Sequence, residues 1–517
     1  MRWSRLAIWV PAALTAVPVL WLMSTWTSAD AETWRHLWET QLVRLMLHTA
    51  ILVIGVGFGT LVVGAACAWL SARCDYPGRG FFDWALALPL AIPPYVLAFV
   101  YSGALEYGAP LRAALRGFGG ADPVWLSPHH PWMVVLILTL ALYPYVYLLA
   151  RSAFLRQGNA YWEMARSLGL SGRQAFWRVG LPLARPALAA GVLLAVIEAL
   201  ADFGAVSILG FDTFTTAIYK AWFSLFSLQT AAQLASLLLL IVLLLVVLER
   251  RQRRRAAYHS PRGAVTPHRH RLTGAAALLA TLAQTLVLLA AIAYPVAQLV
   301  AWAVEIPPDL GALWPAARSS LILGALGAVL VMTVAIPLAL VARRAGGWDR
   351  LAADFALLGY GLPGTVLAVA LLGGLAVFGD GQLWALVARF GLFALLLAYL
   401  IRFLRVGWSA ADPNVAQLRP SLLESAAALG CGPLGRTFRV VLPAVRPGLL
   451  AGLLLVAVEI LKEMPATLML RPFGWDTLAV KLYELTTEAE WERAAIPALF
   501  LVGLSVPLTV WLIRRGR

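Results

Sequence analysis

Four acidic residues interrupt stretches that are otherwise apolar. Glu198 and Asp202 lie four positions apart in the run 188–209, and Glu459 and Glu463 repeat that spacing in the run 449–470. A spacing of four predicts both members of a pair on one helix face, one turn apart. A carboxylate surrounded by apolar groups is costly unless it is paired or faces water, which makes the two pairs candidates for lining a cation's path. Such a path should bind its ion weakly enough to let it go. A structural reading stands equally open: Lys462 neutralises one carboxylate, or backbone N–H groups near Pro465 donate to another.

A second pattern occurs twice. The first copy runs Glu163-Met-Ala-Arg-Ser-Leu-Gly169, then Arg178-Val179-Gly180-Leu181-Pro182, then Arg185-Pro186 and Gly191. The second runs Glu424-Ser-Ala-Ala-Ala-Leu-Gly430, then Arg439-Val440-Val441-Leu442-Pro443, then Arg446-Pro447 and Gly452. Each predicts a short helix ended by glycine, a turn, a second short helix and a proline-bounded start to an apolar run. Ala165, Leu168 and Phe176 would give the first copy a small apolar face, and Ala426, Leu429 and Phe438 the second. An apolar face on a short polar-phase helix needs a groove to cover it. Lying flat on lipid is the bland alternative, and the duplication favours docking.

The elements that position these residues must be membrane spans. Of the 517 residues 61% are hydrophobic and 13% charged, far from the balance of a soluble domain or a disordered chain. Apolar runs fall at 6–23, 49–70, 82–101, 132–149, 188–209 and 231–248, then at 274–303, 319–341, 355–378, 385–403, 449–470 and 496–513. The expected fold is therefore an all-α polytopic membrane protein of about twelve spans in two homologous six-helix halves. The halves align beyond the loops: Arg73 meets Arg343, and Pro93, Val96, Leu97 and Ala98 meet Pro363, Val366, Leu367 and Ala368. Equivalent points are separated by an even number of spans, so the repeat is parallel, about an axis along the membrane normal.

Lys and Arg outnumber Asp and Glu 41 to 26, giving a net charge of +15. Roughly three quarters of the basic residues fall on the side that carries both duplicated loops and both termini, which orients that side to the cytoplasm. The charge thus reads as orientation rather than as a nucleic-acid surface. The linker 249–272 holds Arg250, Arg251, Arg253, Arg254 and Arg255, then Pro261, Gly263 and Pro267. It serves as an orientation anchor or as a contact for anionic lipid headgroups. It separates two homologous membrane domains at 1–248 and 273–517. The first run, with Thr27-Ser28-Ala29 behind it, reads as a retained span, with a cleavable signal as the alternative. Cys67, Cys74 and Cys431 have no disulfide or metal spacing, His268 and His270 have no carboxylate or cysteine nearby to complete a metal site, and His129 and His130 read as solvated residues of an outside loop rather than as metal ligands. No Gly-x-x-x-x-Gly-Lys loop, nucleophile elbow or zinc-protease motif occurs, so no catalytic residue is expected.

With these residues in view, the chain resembles the membrane subunits of ATP-binding-cassette importers. Their signature is a Glu-Ala-Ala motif, a following Gly and a Leu-Pro before the penultimate span; Met164 and Ser425 replace the first alanine here. The resemblance implies a type I importer permease (MetI-like) fold in each half, fused in one chain. It implies that Glu163, Ala165, Gly169, Leu181 and Pro182, with Glu424, Ala426, Gly430, Leu442 and Pro443, carry ATP-driven closure into the spans. It further implies two copies of a cytoplasmic ATPase subunit that binds the ATP and Mg, a periplasmic binding protein, and a bacterial inner-membrane location. Glu198 to Gly204, Thr213 to Tyr219, Lys462 to Gly474 and Tyr483-Glu484-Leu485 are similar to the fused permeases of ferric-iron importers. Thiamine, aminoethylphosphonate and polyamine permeases share the fold and the loop and stand as alternative cargoes. From another class, a proton-coupled carrier of twelve spans would use the carboxylates as a relay, but it has no use for duplicated docking loops.

Overall fold

A computed structural model describes residues 2–28, 31–119, 127–157, 163–165, 167–258, 269–307, 309–343, 345–376, 383–418 and 420–515. Ala29, Arg166, the linker residues Pro261, Gly263, Pro267 and His268, and Arg517 lie outside them. Among the described residues, ten helices are long and apolar enough to cross a membrane, from Arg5–Ser28 and Trp34–Arg73 to Trp491–Trp511. Two bent pairs bring the number to 12.

The bent pairs coincide with the third and ninth runs, which were expected to be single helices. Arg79–Ala91 meets Pro94–Ala104 at 88°, and Gly347–Gly361 meets Gly364–Ala376 at 112°. Each break falls just before an aligned proline, Pro93 or Pro363. Proline crowds the residue ahead of it out of the helical region, and Ile92 (ψ 121°) and Leu362 (ψ 120°) are both extended. Backbone freed at such a break must find a new partner inside the protein. The Leu362 carbonyl accepts from Arg402 Nη1 at 3.1 Å.

The fifth and eleventh runs are also interrupted. One helix covers Phe176–Ala201, and after Asp202 and Phe203 a short helix spans Gly204–Ile208. The counterpart covers Arg439–Leu461 and resumes as Pro465–Leu470. Gly191 and Gly452, common to both duplicated patterns, sit where neighbouring helices come close. A Cβ on Gly191 would meet Val146 Cα at 2.8 Å, and one on Gly452 would meet Ala410 Cβ at 2.7 Å. Small residues at such crossings let backbones approach.

The chain forms two compact units that do not follow the order of the halves. One comprises Met1–Ala29, Ile218–Ser236 and Asp309–Lys481. The first span therefore packs among helices of the second half: Trp9 Nε1 donates to Asp349 Oδ1 at 2.9 Å, and the Trp21 ring lies on Gly373. The other unit comprises Asp30–Ala217, Leu237–Pro308 and Leu482–Arg517. There the seventh span, Gly274–Glu305, joins helices of the first half. Tyr76 donates to Gln284 Oε1 at 2.6 Å, Tyr101 donates to the Ala290 carbonyl at 2.7 Å, and Trp302 packs on Phe99.

Candidate functional site

In the first loop, the helical turn at Glu163–Ala165 closes at Gly169, whose φ of 75° is strained for any residue with a Cβ. Leu170 N donates to the Ala165 carbonyl at 3.0 Å, the bond that wraps a glycine-ended helix. Ser171 and Gln174 then cap one another: Gln174 Oε1 accepts the Ser171 N–H at 2.9 Å, and Ser171 Oγ accepts the Gln174 N–H at 3.3 Å. The second loop repeats the stop. Its helix Pro420–Ala428 ends at Gly430 with φ 79°, and Cys431 N donates to the Ala426 carbonyl at 3.0 Å.

Glu163 and Glu424 are exposed, while Ala165 and Ala426 are turned inward at 2% and 6% exposure. The apolar face expected from Ala165, Leu168 and Phe176 is not one surface. Phe176 packs against Trp69 with ring centroids 4.7 Å apart and against Phe154 at 6.4 Å, because a large ring gains more from the chain's own interior than from the loop tip. What stays outside is Leu168 at 72% exposure with Met164 beside it, and Leu429 at 84% with Leu422. The side chain of Phe438 lies outside the described residues.

Residues that the sequence pattern did not single out anchor the first loop. Arg73 is buried; its Nε donates to the Phe154 carbonyl at 3.0 Å and its Nη2 to the Gln157 carbonyl. Gln157 Nε2 in turn donates to the Gly180 carbonyl at 2.9 Å. The alignment of Arg73 with Arg343 was the available signal, and Arg343 pairs with Asp412 at 3.2 Å.

No turn separates loop from span. Gly172–Ala175 passes through a widened segment, Phe176–Gly180, straight into Leu181–Ala201, and Pro433–Arg436 passes through Thr437–Val441 into Leu442–Leu461. The widened turns precede Pro182 and Pro443, whose rings would clash with the carbonyl four residues back in a regular helix. Leu181 N accordingly reaches back to the Phe176 carbonyl. Leu181, Pro182 and Leu442 are half-buried and Pro443 is exposed. From Leu181 one continuous helix of 21 residues runs about 30 Å to the break at Asp202.

The two members of each acidic pair part company at that break. Glu198 and Glu459 are half-buried on their long helices, whereas Asp202 and Glu463 fall past the helix ends and cap the short helices that follow. Asp202 Oδ1 accepts from Ala205 N at 2.8 Å. Glu463 is buried, and its carboxylate accepts from Ala466 N and Thr467 N at 3.1 Å each and from Thr467 Oγ1 at 2.9 Å. A carboxylate at a helix start meets exposed N–H groups and the positive end of the helix dipole. Lys462 Nζ lies 2.7 Å from Glu459 Oε1. Among the described residues no three His, Cys, Asp or Glu groups converge on a metal-sized site. At the opposite end of the spans from the first loop, a cavity of about 530 Å³ is lined by Ser102, Glu106, Arg112, His129, Ser207 and Trp491. His129 Nδ1 lies 3.0 Å from the Leu209 carbonyl, and His130 Nδ1 accepts the Trp132 N–H at 3.4 Å.

Two stretches, 60–256 and 332–513, match the family described as binding-protein-dependent transport system inner membrane component. The chain belongs to this family. Each match takes in one duplicated loop and one acidic pair, so this permease carries two copies of the family core in one polypeptide. It is 28% identical over 477 residues to the Fe(3+)-transport system permease protein FbpB 2 of Haemophilus influenzae, covering 91% of this chain and 89% of that protein. It is 33% identical over 186 residues to the sulfate transport system permease protein CysW of Escherichia coli, covering 35% of this chain and 57% of that one. It is 27% identical over 172 residues to the molybdenum transport system permease protein ModB of E. coli, covering 32% and 69%. The permease is thus a multi-pass inner-membrane transport component rather than an enzyme, and its family implies an ATPase subunit and a substrate-binding protein as partners.

Proposed function

We propose that the chain is the permease of a ferric-iron importer, with one ATPase subunit on each duplicated loop. The match to a Fe(3+) permease along 91% of the chain and 89% of that protein, both halves together, supports the cargo. Both loops and both termini face the cytoplasm, as the distribution of Lys and Arg favours. ATP and Mg are held by the ATPase subunits. Their closure draws the loops at Glu163 to Gly169 and Glu424 to Gly430 together, and the helices from Leu181-Pro182 and Leu442-Pro443 pass that motion to the breaks after Ala201 and Leu461. A periplasmic binding protein delivers iron on the other side.

Within the spans, Glu198 and Glu459 line the path, whereas Asp202 and Glu463 hold the starts of the short helices that follow the breaks. The halves 1–248 and 273–517, joined by the linker 249–272, rock between outward- and inward-facing states. The test is reconstitution of the permease in liposomes with its ATPase and a ferric-binding protein. Radio-iron uptake that requires ATP and both partners is expected. Uptake driven by a proton gradient without the ATPase would make it a carrier, and transport of sulfate in place of iron would reassign the cargo.

A further inference from the structure

The basic linker returns to the fold as a strand. His270–Arg271 pairs in parallel with Cys74–Asp75, Asp75 lies opposite Arg271, and Leu272 N donates to the Asp75 carbonyl at 2.9 Å. This zip brings Arg269 and Arg271 beside the start of the third span. Arg79 there pairs with Asp75 at 3.5 Å, and Arg151 forks onto the two oxygens of Asp83 at 2.6 and 2.8 Å. Burial, then the neighbouring Arg79, pull the Arg269 pKa down; Arg151 adds to that, and Asp83 and Asp75 oppose it. Three guanidinium groups, those of Arg79, Arg151 and Arg269, share two carboxylates, Arg271 follows on the strand opposite Asp75, and Asp83 is already engaged by Arg151. Positive charge is left for an anion from outside the chain.

The surroundings decide which anion. The cluster sits where the seventh span begins at Gly274, and Thr281 Oγ1 on that span donates to the Pro77 carbonyl at 3.1 Å. Leu278 and Leu282 on the seventh span and Phe81 on the third are exposed. A phosphate with apolar chains attached matches both features at once, and inorganic phosphate matches only the first.

We propose that the linker strand and the start of the third span form a binding site for an anionic phospholipid. The headgroup phosphate rests on Arg79, Arg269 and Arg271, and the acyl chains run along Phe81, Leu278 and Leu282. The linker's return is thereby fastened to the bilayer as well as to the Cys74–Asp75 strand.

The site is tested on the delipidated full chain with its ATPase bound, using native mass spectrometry with phosphatidylglycerol and phosphatidylcholine as probes. Retention of phosphatidylglycerol but not phosphatidylcholine is expected. The paired substitution Arg269→Gln and Arg271→Gln should weaken retention about thirtyfold, at about fivefold per guanidinium near a headgroup. Arg269→Lys with Arg271→Lys should keep most of it, which separates lost charge from lost structure, and Arg116→Gln should leave it unchanged. Equal retention of both lipids, or an unaltered affinity in the Gln pair, overturns the proposal. So does full displacement of the lipid by millimolar inorganic phosphate, which would mark a simple phosphate site.

Discussion

Leu429 gives a sharp test of the docking assignment, because it contributes surface to the loop tip and nothing to the chain's interior. It stands 84% exposed, one residue before the left-handed turn at Gly430. Covering a leucine side chain contributes about 2 kcal/mol, and trimming it to alanine leaves only the Cβ. Leu429→Ala should then lose about 1.5–2 kcal/mol of contact with the ATPase subunit, a drop in affinity of about ten- to thirtyfold. The equivalent Leu168→Ala acts on the other loop, and the double variant weakens both grips. Titration of the ATPase subunit onto permease in nanodiscs reads the affinity, and a thermal melt of the permease alone should not move. An unchanged affinity in the double variant, with normal ATP-driven uptake, would refute the idea that these tips are what the ATPase holds.

Glu163→Ala and Gly430→Arg should leave membrane insertion intact while ATP hydrolysis no longer drives uptake, measured as iron moved per ATP in liposomes. Asp202→Ala should lower the stability by about 1 kcal/mol through the lost cap, and Glu463→Ala by about 2 kcal/mol because its buried N–H partners are left unpaired; both are read as lowered melting temperatures. Glu198→Gln and Glu459→Gln should instead spare the melt and alter transport, and a reversal of the two patterns would exchange the roles assigned to the carboxylates. Burial pushes the Cys74 thiol up to about 11, so at pH 8 about one molecule in a thousand carries the reactive thiolate. A maleimide should therefore modify Cys431 first, Cys74 should gain as the pH rises toward 10, and an impermeant reagent should reach Cys431 only in inverted vesicles. Labelling of Cys431 in intact cells would reverse the proposed orientation.

The spans and the loops were legible because each rests on a local signal, a run of apolar residues or a motif read twice. Gly169 and Gly430 mark helix stops from sequence alone, since a residue without a Cβ is what such a stop requires. The bends were only half visible. Pro93 and Pro363 stand out by type and alignment, yet proline inside an apolar run is compatible with a mild kink or a sharp break, and neighbours such as Arg402 decide which. The spacing of Asp202 from Glu198 suggested one helix face, because periodicity says nothing about where a helix stops. Phe176 was assigned to the loop surface for a similar reason: an apolar side chain next to a motif does not declare whether its partner is Trp69 in the same chain or a groove in another. Which helices the first and seventh spans adopt as neighbours is a tertiary choice that composition leaves open.

The crossed membership of those two spans bears on how the polypeptide can be divided. Severing it within 259–268 would leave the first fragment holding the first span and Ile218–Ser236, which belong to the unit built mainly by the second fragment, and leave the second holding the seventh and last spans, which belong to the unit built mainly by the first. Expressed alone, either piece would present orphan helices and a vacancy to the cell's quality control, and only simultaneous synthesis could restore function. A single reading frame removes that burden by delivering every donor helix together with its acceptor in equal dose.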